Sequence, residues 1–220
     1  MTCLLCQRAL INQIKLTDII LLKKEIPTIC TECSSQFTKL SDCHCITCFK
    51  EGISGICDDC HRWQEKGSKP SHQSLYLYNE AMKRFFSRYK FEGDYLLRKV
   101  FSNQIKLFLK GYKSYTIVPV PTNKERFSKR QFNQVTGFLD DAKVTYQDIL
   151  IKKDGIAQSK KSKNERLAAL MGFEIKSKVK IPPKILLIDD IYTTGATVLG
   201  IQKLLYQKGA KEVISFSLAR

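Results

Sequence analysis

The sequence predicts an α/β protein in which a parallel sheet flanked by helices follows a small Cys-rich zinc-binding domain. Two observations predict this division. All nine cysteines lie between Cys3 and Cys60. After residue 73, apolar segments without the alternation of a half-exposed strand are joined by segments of helical periodicity, as in a parallel sheet covered on both faces. We therefore expect a zinc-binding domain over residues 1–65, a linker over 66–72 and the α/β domain over 73–220.

Composition is that of a globular protein with a strongly basic surface. The chain has 220 residues, of which 43% are hydrophobic, so a sizeable core can form. A net charge of +16 attracts polyanions, but the lysines are scattered along the chain. Charge alone therefore fits two interpretations equally well, contact with nucleic acid and a surface that is simply well solvated. No signal peptide is visible, and no apolar run reaches the roughly 18 residues of a membrane helix. We expect no membrane span and a cytoplasmic location, where disulfides are rare.

Eight of the cysteines form four C-x-x-C pairs. The pairs are Cys3 and Cys6, Cys30 and Cys33, Cys45 and Cys48, and Cys57 and Cys60. A C-x-x-C turn directs two thiolates at one ion, and two such turns complete the tetrahedral four-thiolate site of structural zinc. One pair alone would also fit a redox motif, whereas four pairs favour zinc over disulfides or free core cysteines. We expect two structural zinc ions, because neither set of four leaves a ligand position open.

The spacing leaves the pairing of these turns undecided. Sequential pairing is the simplest arrangement, and an interleaved one, in which the first turn joins the third, fits the spacing as well. Residues 7–29 are long enough for a small hairpin with an apolar face. Cys43 is left over and, like His44, could replace a ligand, although an unused thiol is the simpler interpretation. His61 and His72 are expected at the surface rather than on a metal.

The second domain is expected to alternate strands with helices. Strands are predicted over residues 73–78, 116–120, 146–152, 181–189 and 212–219. Helices are predicted over residues 80–90, 95–111, 130–142 and 194–209. Asn79 is the expected cap of the first helix, and Gly209 ends the last. Ligands of parallel sheets bind at the carboxyl ends of the strands. Because unusual polar segments follow the second, third and fourth strands, we expect one site to include all three.

The segment ILLIDDIYTTGATV, residues 185–198, contains a turn suited to an anion. Gly195 permits the close approach of a ligand, and the first N–H groups of the following helix have no partner within that helix. Thr193, Thr194 and Thr197 add hydroxyl donors, so the turn suits a phosphate monoester. A P-loop is not indicated, because no G-x-x-x-x-G-K-[ST] is present.

Two carboxylates precede that turn. Asp189 and Asp190 accept hydrogen bonds and therefore suit sugar hydroxyls; the alternative is a strand-end Asp that caps a turn. An apolar strand, an acidic pair, two residues and then T-T-G-x-T resembles the phosphoribosyl-diphosphate motif of type I phosphoribosyltransferases. This resemblance implies that the carboxylates hold ribose hydroxyls and that residues 193–197, Ala196 included, hold the 5-phosphate. It also implies Mg²⁺ bridging the diphosphate and ribose oxygens.

Further segments resemble the ComF family, whose members join a Cys-rich zinc domain to a phosphoribosyltransferase domain. They are residues 118–134, which contain P-V-P and then R-Q-F-N-Q, residues 158–166, which end in Arg166, and residues 89–95, Y-K-F-E-G-D-Y. With the four C-x-x-C pairs, the resemblance covers nearly the whole chain. One departure is Gln131, where the family has glycine. If that turn requires a positive φ, Gln131 strains it.

The family resemblance also implies residues on the diphosphate side of the site. These are Val120 and Pro121 in the turn after the second strand, Arg126, Arg130, Arg166 and Lys90. Arg130 is the better placed of the two helix arginines and joins Asp189 and Asp190 as an expected catalytic residue. The alternative for the arginines is a solvated helix face, and Lys90 could equally lie on the surface of its helix. The Lys-rich stretch over residues 152–166 could close over the ligand.

The ComF resemblance implies a role in natural transformation, in the uptake or handling of single-stranded DNA. The implied partners are DNA-uptake proteins, the helicase-like ComFA among them, and a recombination mediator. The residues identify a phosphoribosyl donor site, whereas no acceptor pocket or general base is evident. Two alternatives stay open. One is a non-catalytic adaptor that senses phosphoribosyl diphosphate, and the other is a zinc-dependent module that binds single-stranded DNA through basic and aromatic residues.

Overall fold

The computed structural model describes residues 1–10, 27–152 and 172–220 of the chain. Its Cys-rich part contains two short helices, α1 (Thr31–Ser35) and α2 (Asp58–Glu65), and each begins directly after a cysteine. Cys30 Sγ accepts a hydrogen bond from the backbone N–H of Cys33, so α1 begins inside a C-x-x-C turn. The hairpin expected over residues 7–29 falls mostly outside the described residues.

The second part is built on a parallel sheet. Its strands are β1 (His72–Tyr76), β2 (Thr116–Pro119), β3 (Leu150–Lys152), β4 (Phe173–Ile175), β5 (Lys184–Ile191) and β6 (Glu212–Ala219). Four of them pair in the order β1-β6-β5-β2, and every pair is parallel. Both faces of the sheet are covered, which explains why the apolar run of β5 shows no alternation. The predicted α/β fold class is confirmed.

The strand predicted over residues 146–152 is shorter and lies elsewhere. Only its last three residues form a strand, β3, which pairs antiparallel with β4 and does not join the parallel sheet. Asp148 is exposed and forms an ion pair with Lys176, 2.6 Å apart, so the middle of the predicted strand faces solvent. Of the three strand ends expected at the site, two belong to the parallel sheet and the third to this separate two-stranded pair.

Five helices accompany the strands of the described α/β part. They are α3 (Glu80–Phe91), α4 (Ser102–Leu109), α5 (Lys124–Arg130), α6 (Gln134–Asp141) and α7 (Ala196–Gln207). Asn79 caps α3 as predicted, by accepting a hydrogen bond from the backbone N–H of Met82. The predicted helix over residues 130–142 is broken after its first residue: Arg130 ends α5, a helix capped by Asn123 that was not predicted, and Asn133 caps a new start at Gln134.

The predicted helix over residues 95–111 is also interrupted. A 3₁₀ helix over Tyr95–Lys99 precedes α4, and another over Lys110–Tyr112 follows it. Leu97 and Val100 are both buried, and this three-residue spacing suits the 3₁₀ repeat better than the α repeat. Sequence periodicity alone did not distinguish the two.

The apolar core lies on both sides of β5. Leu186 and Ile188 join one cluster, whereas Ile185 and Leu187 join the other, as successive residues of a strand must. The Cys-rich part contributes to both clusters. Phe37 packs into the first, edge-to-face against Phe101 with ring centroids 4.9 Å apart, and the second contains four cysteines. The expected boundaries at residues 65 and 72 stay predictions, but the two parts share their core.

His72 is buried, which corrects the expectation that it lies at the surface. It begins β1 and is only 3% exposed. Its ring contacts the hydroxyls of Ser215 at 2.9 Å and Ser74 at 2.8 Å, and it stacks on Tyr192 with ring centroids 3.9 Å apart. Three serine hydroxyls inside the sheet, which the apolar pattern did not reveal, provide the polar partners that make this burial tolerable.

Over residues 1–10, 27–152 and 172–220, none of the helices combines the length and the apolar composition that crossing a bilayer requires.

Candidate functional site

The eight C-x-x-C cysteines come together in two groups, and within each group the Sγ atoms lie within 4.8 Å of one another. The first group is Cys3, Cys6, Cys30 and Cys33, and the second is Cys45, Cys48, Cys57 and Cys60. The structure therefore selects the sequential pairing over the interleaved one. Four thiolates at these separations fit a tetrahedral zinc ion. Cys43 is exposed and lies outside both groups.

The two groups are built by the same local geometry. The residue after the first turn, Gln7 or Phe49, has a left-handed backbone and donates its N–H to the carbonyl of the first cysteine, at 2.9 and 2.8 Å. The first sulfur of each group, that of Cys3 or Cys45, accepts a backbone N–H from the third cysteine at 3.3 Å. Backbone donors aimed at sulfur stabilise the thiolate, which is the form that binds zinc.

The acidic pair lies at the carboxyl end of β5. Asp190 Oδ2 is 2.5 Å from the ammonium nitrogen of Lys90 at the end of α3. Asp189 Oδ1 accepts the backbone N–H of Asp190 at 2.8 Å. Burial, reinforced by the neighbouring charge of Asp190, raises the pKa of the Asp189 carboxyl to about 7. In the free protein near neutral pH, Asp190 is therefore paired with a cation, whereas Asp189 is close to its midpoint of protonation.

The β2 turn brings cationic side chains to the same place. The backbone N–H of Val120 bonds to the carbonyl of Ile188 at 2.8 Å, so the turn after β2 lies beside the end of β5. Helix α5 follows directly and carries Arg126 and Arg130. The guanidinium of Arg130 lies 5.1 Å from the centre of the Phe91 ring. Burial, together with the nearby charge of Arg126, lowers the pKa of Arg130, and an anionic ligand would offset both effects by stabilising the charged guanidinium.

Most of the expected site residues line one cleft of about 340 Å³. These are Lys90, Val120, Pro121, Arg126, Arg130, Asp189, Asp190 and Thr197. Thr193, Thr194, Gly195 and Ala196 do not line this cleft, although they are continuous with Thr197 along the chain. Arg166 lies outside the described residues.

The structure adds lining residues that sequence reasoning missed, notably Phe91, Asn133 and Gln134, and the cleft also includes Lys152, the first residue of the Lys-rich stretch. Asn133 and Gln134 end the segment that resembles the ComF family, so the motif itself was the available signal. Gln134 is 4% exposed, and within the described part of the chain its Nε2 has no hydrogen-bond acceptor. A buried donor without an acceptor is uncommon, and a ligand oxygen would be a suitable one.

Gln131 has the positive φ that was expected to strain its turn. It ends α5 with φ 63° and ψ 7°, a left-handed backbone, and donates its N–H to the carbonyl of Phe127 at 2.6 Å. Its side chain also bonds back to the carbonyl of Ser128 at 2.5 Å, which compensates part of the strain.

The turn over residues 193–197, the threonine turn, is held in place by contacts with Tyr192 and Trp63. Gly195 has φ 79°, and a Cβ there would lie 2.1 Å from the hydroxyl of Tyr192, so glycine is required on both counts. Thr193 and Thr194 are exposed. The carbonyl of Thr194 accepts a hydrogen bond at 2.9 Å from the indole N–H of Trp63, a residue of α2 in the Cys-rich part.

Comparison with known proteins identifies full-length relatives. The chain is 45% identical over 220 residues to competence protein ComFC of Streptococcus pneumoniae (strain ATCC BAA-255 / R6), with all of both chains covered. It is 34% identical over 227 residues to competence protein ComFC of Bacillus subtilis (strain 168), covering 99% of this chain and 94% of that one. No protein-family model matches the chain.

Solved structures give only a weak likeness. A hypoxanthine phosphoribosyltransferase from Trypanosoma cruzi superposes with a TM-score of 0.35 at 13% identity, over 57% of this chain and 66% of that one. One from Staphylococcus aureus gives 0.32 at 18% identity, over 59% and 64%. Superpositions this partial do not establish a family for this chain. The family follows from the sequence relatives alone. The chain belongs to the ComFC family of competence proteins.

Proposed function

We propose that this protein binds phosphoribosyl diphosphate with Mg²⁺ in the cleft at the end of β5. One observation carries the proposal: the carboxylates of Asp189 and Asp190 share a single cleft with the guanidinium groups of Arg126 and Arg130. A ligand that fits both must present hydroxyls and a polyphosphate together. Phosphoribosyl diphosphate does so, and Thr197 lines the same cleft where the 5-phosphate would enter the threonine turn.

The ion pair between Lys90 and Asp190 would be exchanged for contacts with the ligand on binding. A ribose hydroxyl that donates to Asp190 competes with the ammonium of Lys90, 2.5 Å away. A diphosphate oxygen offers Lys90 a replacement acceptor, so both groups exchange partners instead of losing them. Asp189 must be deprotonated to accept a second hydroxyl as a carboxylate. Arg126 and Arg130 supply fixed forks for the diphosphate oxygens.

The metal ions fit these donors in different ways. Mg²⁺ binds through phosphate oxygens and waters, with one or two carboxylates nearby, and Asp189 and Asp190 are the available pair. When bound, the ion would neutralise charge on the diphosphate leaving group. Zinc fits the two cysteine groups, whose thiolates leave no open position, and would stabilise the Cys-rich part without taking part in chemistry.

A transfer reaction would break the bond between ribose C1 and diphosphate. The two arginines would stabilise the charge that develops on the leaving diphosphate, and an acceptor would then add to the oxocarbenium-like C1. A second cavity of about 560 Å³ adjoins the donor cleft, sharing Pro121 and Thr122 with it, and Tyr146 lines it. We propose that an acceptor would occupy this second cavity.

Calorimetry tests the donor assignment. We expect saturable binding of Mg·phosphoribosyl diphosphate and a loss of about ten-fold or more in affinity for Asp190→Asn, because one charged hydrogen bond is removed. The matched control is Asp140→Asn, an exposed carboxylate of α6 that bonds the Tyr146 hydroxyl and does not line the donor cleft. If the wild type shows no heat of binding, the ligand assignment is wrong.

Turnover separates an enzyme from an adaptor. Release of diphosphate that depends on an added nucleobase or other acceptor supports a transferase. Tight binding without release across such acceptors supports a sensor that uses the ligand to control docking.

The relatives' names point to the biological setting. Both full-length relatives are named competence proteins, and we propose that this chain acts in natural transformation, in the handling of incoming single-stranded DNA with a helicase-like partner. A transformation assay tests this role. We expect the Asp189→Asn/Asp190→Asn double variant to transform poorly, and a variant of one C-x-x-C pair run beside it shows which part of the molecule the process requires. Normal transformation efficiency in both would contradict the role.

A second candidate function, contact with single-stranded DNA, is favoured by the surface that α5 forms with the end of α3. Phe91 is 75% exposed and Phe127 is 48% exposed, and Lys124, Arg126 and Lys129 lie on the same helix as Phe127. Exposed aromatic rings beside cations suit unpaired bases and their phosphates. Affinity for a single-stranded oligonucleotide should fall steeply with salt and fall further in Phe91→Ala/Phe127→Ala. Deleting the Cys-rich part is a poor test, because Phe37 belongs to the shared core.

A further inference from the structure

We propose that Trp63 is a positioning residue for the phosphate turn, defined as Thr193–Thr197, and that the second cysteine group thereby sets the direction of the turn's backbone N–H groups. The inference rests on the proposed function, because that function assigns the 5-phosphate to this turn. It adds a role for a residue of the Cys-rich part in a site that otherwise belongs to the sheet.

The contact joins residues 131 positions apart. Trp63 Nε1 donates to the backbone carbonyl of Thr194 at 2.9 Å. Trp63 lies on α2, one turn after Cys60, whose sulfur belongs to the second group. The ring is half-buried, and the ammonium of Lys66 lies 5.4 Å from its centre. A metal that fixes Cys60 therefore also fixes the helix that presents the indole N–H.

The direction of the Thr194 carbonyl determines the direction of the next backbone N–H, that of Gly195. In a trans peptide the C=O and the following N–H point in opposite directions. Because the Thr194 carbonyl faces Trp63, the N–H of Gly195 must face away from the Cys-rich part. Among the described residues, the N–H groups of Thr193, Thr194 and Gly195 have no hydrogen-bond acceptor. They are the donors that an anion would use, and Trp63 fixes the direction of one of them.

A second brace acts on the same turn. Arg220 Nη1 approaches the carbonyl of Thr193 at 3.4 Å, which by the same geometry turns the N–H of Thr194 away from it. The guanidinium of Arg220 lies 4.5 Å from the centre of the Tyr192 ring. Tyr192 fills the space beneath Gly195 and packs in the apolar cluster that contains the second cysteine group. The back of the turn therefore rests on that group, and its donors face the other way.

The chain contains one tryptophan, so the proposal has a direct optical readout. Fluorescence excited at wavelengths that tyrosine does not absorb reports Trp63 alone, and the indole N–H of Trp63 contacts the turn that would bind phosphate. We expect a saturable change in Trp63 emission on titration with Mg·phosphoribosyl diphosphate, with the same midpoint that calorimetry gives. A tryptophan that only stabilised the Cys-rich part would not respond to the ligand.

Trp63→Phe keeps an aromatic ring and removes the donor. We expect its affinity for Mg·phosphoribosyl diphosphate to fall about five-fold, the value of one hydrogen bond, with an unchanged zinc content. Arg62→Ala is the control, because Arg62 lies on the same helix and pairs only with Asp59 among the described residues. Its affinity should equal that of the wild type.

Hydrogen exchange of the turn decides the matter independently of any ligand. In Trp63→Phe, the amides of Ala196 and Leu199, which donate to Thr194 Oγ1 and to the Gly195 carbonyl, should exchange several-fold faster, whereas those of β1 should not change. If the wild type binds the ligand but emission stays constant and Trp63→Phe binds equally well, the positioning role is wrong and the proposed function stands. If the wild type does not bind, the proposed function fails, and unaltered exchange in Trp63→Phe would still overturn the positioning role.

Discussion

In the free protein, the ammonium of Lys90 lies 2.5 Å from Asp190 Oδ2, and the two side chains are only 14% and 16% exposed. This ion pair ties the end of α3 to the end of β5 across the proposed donor cleft. Partial burial makes it stronger than a surface pair, and it leaves either partner costly to remove alone. The pair therefore links the two elements in the ligand-free protein and keeps both charged groups beside the place where the ligand would bind.

The first prediction concerns the stability of this pair. Lys90→Met leaves Asp190 partly buried without its cation, so the free energy of unfolding should fall by about 1–3 kcal/mol. Asp190→Asn in the same background should restore part of the loss. Urea denaturation of the four members of this double-mutant cycle measures the coupling. Lys83→Met is the control, because Lys83 and Glu80 form an exposed pair on the same helix, and it should cost well under about 1 kcal/mol. Additive losses would show that the two charges do not interact.

The second prediction concerns pH and stability at Asp189. Burial raises the pKa of this carboxyl to about 7, above its ordinary value of 3.8. Between these values the folded state holds a proton that the unfolded chain has released. The contribution of this carboxyl to the free energy of unfolding is therefore complete below about pH 4 and is lost as the pH rises through 7. Asp189→Asn removes the titration, and Asn Oδ1 can still accept the N–H of Asp190. The variant should therefore gain stability over the wild type as pH rises from 5 to 8.

Urea denaturation across that range checks the difference. His72 titrates in the opposite sense, because burial lowers its pKa well below 6.5 and protonation at acid pH destabilises the fold. This effect is present in both proteins and cancels in their comparison. A stability difference that is constant with pH would show that Asp189 titrates normally. Ligand affinity should move the other way in the wild type, strengthening as pH rises through 7, since the carboxylate accepts the hydroxyl.

Local sequence signals predicted the parts of the site that a single segment builds. The apolar run, Asp189 and Asp190, and then Gly195, predicted a strand that ends in carboxylates and turns into a helix, and the structure has this order. The signal was sufficient because burial, turn chemistry and helix start all agree within about 14 residues. Asn79 was predictable as a cap for the same reason.

Relationships between distant segments were not predictable in this way. The hydrogen bond between Trp63 and Thr194 joins two parts that sequence pattern treated as separate domains. The burial of His72 depends on serine hydroxyls of β6 that lie more than 140 residues further on. Apolar periodicity reports which face of a segment is buried, but it does not report which other segment covers that face. The pairing of β3 with β4, apart from the parallel sheet, was unpredictable for the same reason.

The third prediction concerns Gln131, which ends α5 with φ 63°. A left-handed backbone costs a non-glycine residue about 1–2 kcal/mol. Glycine removes this strain, but its more flexible unfolded chain loses more entropy on folding, which offsets part of the gain. Gln131→Gly should therefore raise the free energy of unfolding by about 0.5–1 kcal/mol. Gln131→Ala keeps the strain and loses the side-chain bond to the Ser128 carbonyl, so it should lower stability. Thermal unfolding of the two variants measures both, and equal stabilities would mean that the turn is not strained.

The fourth prediction separates the two cysteine groups. We expect two zinc ions per chain by elemental analysis, and one after either Cys6→Ser or Cys48→Ser. The groups differ in their neighbours, because the first meets α3 through Arg88, which donates to the carbonyls of Leu4 and Leu5. The second lies in the apolar cluster beneath Tyr192.

The consequence for ligand binding follows from these neighbours. Cys48 is fully buried, and losing its metal should loosen α2 and with it the turn that Trp63 holds. Affinity for Mg·phosphoribosyl diphosphate should therefore fall about five-fold or more in Cys48→Ser, whereas Cys6→Ser should bind within about two-fold of the wild type. Calorimetry of the two variants, each shown to be folded by its unfolding transition, makes the comparison. Equal losses in both would mean that the sheet alone shapes the phosphate turn and that the cysteine groups contribute only to general stability.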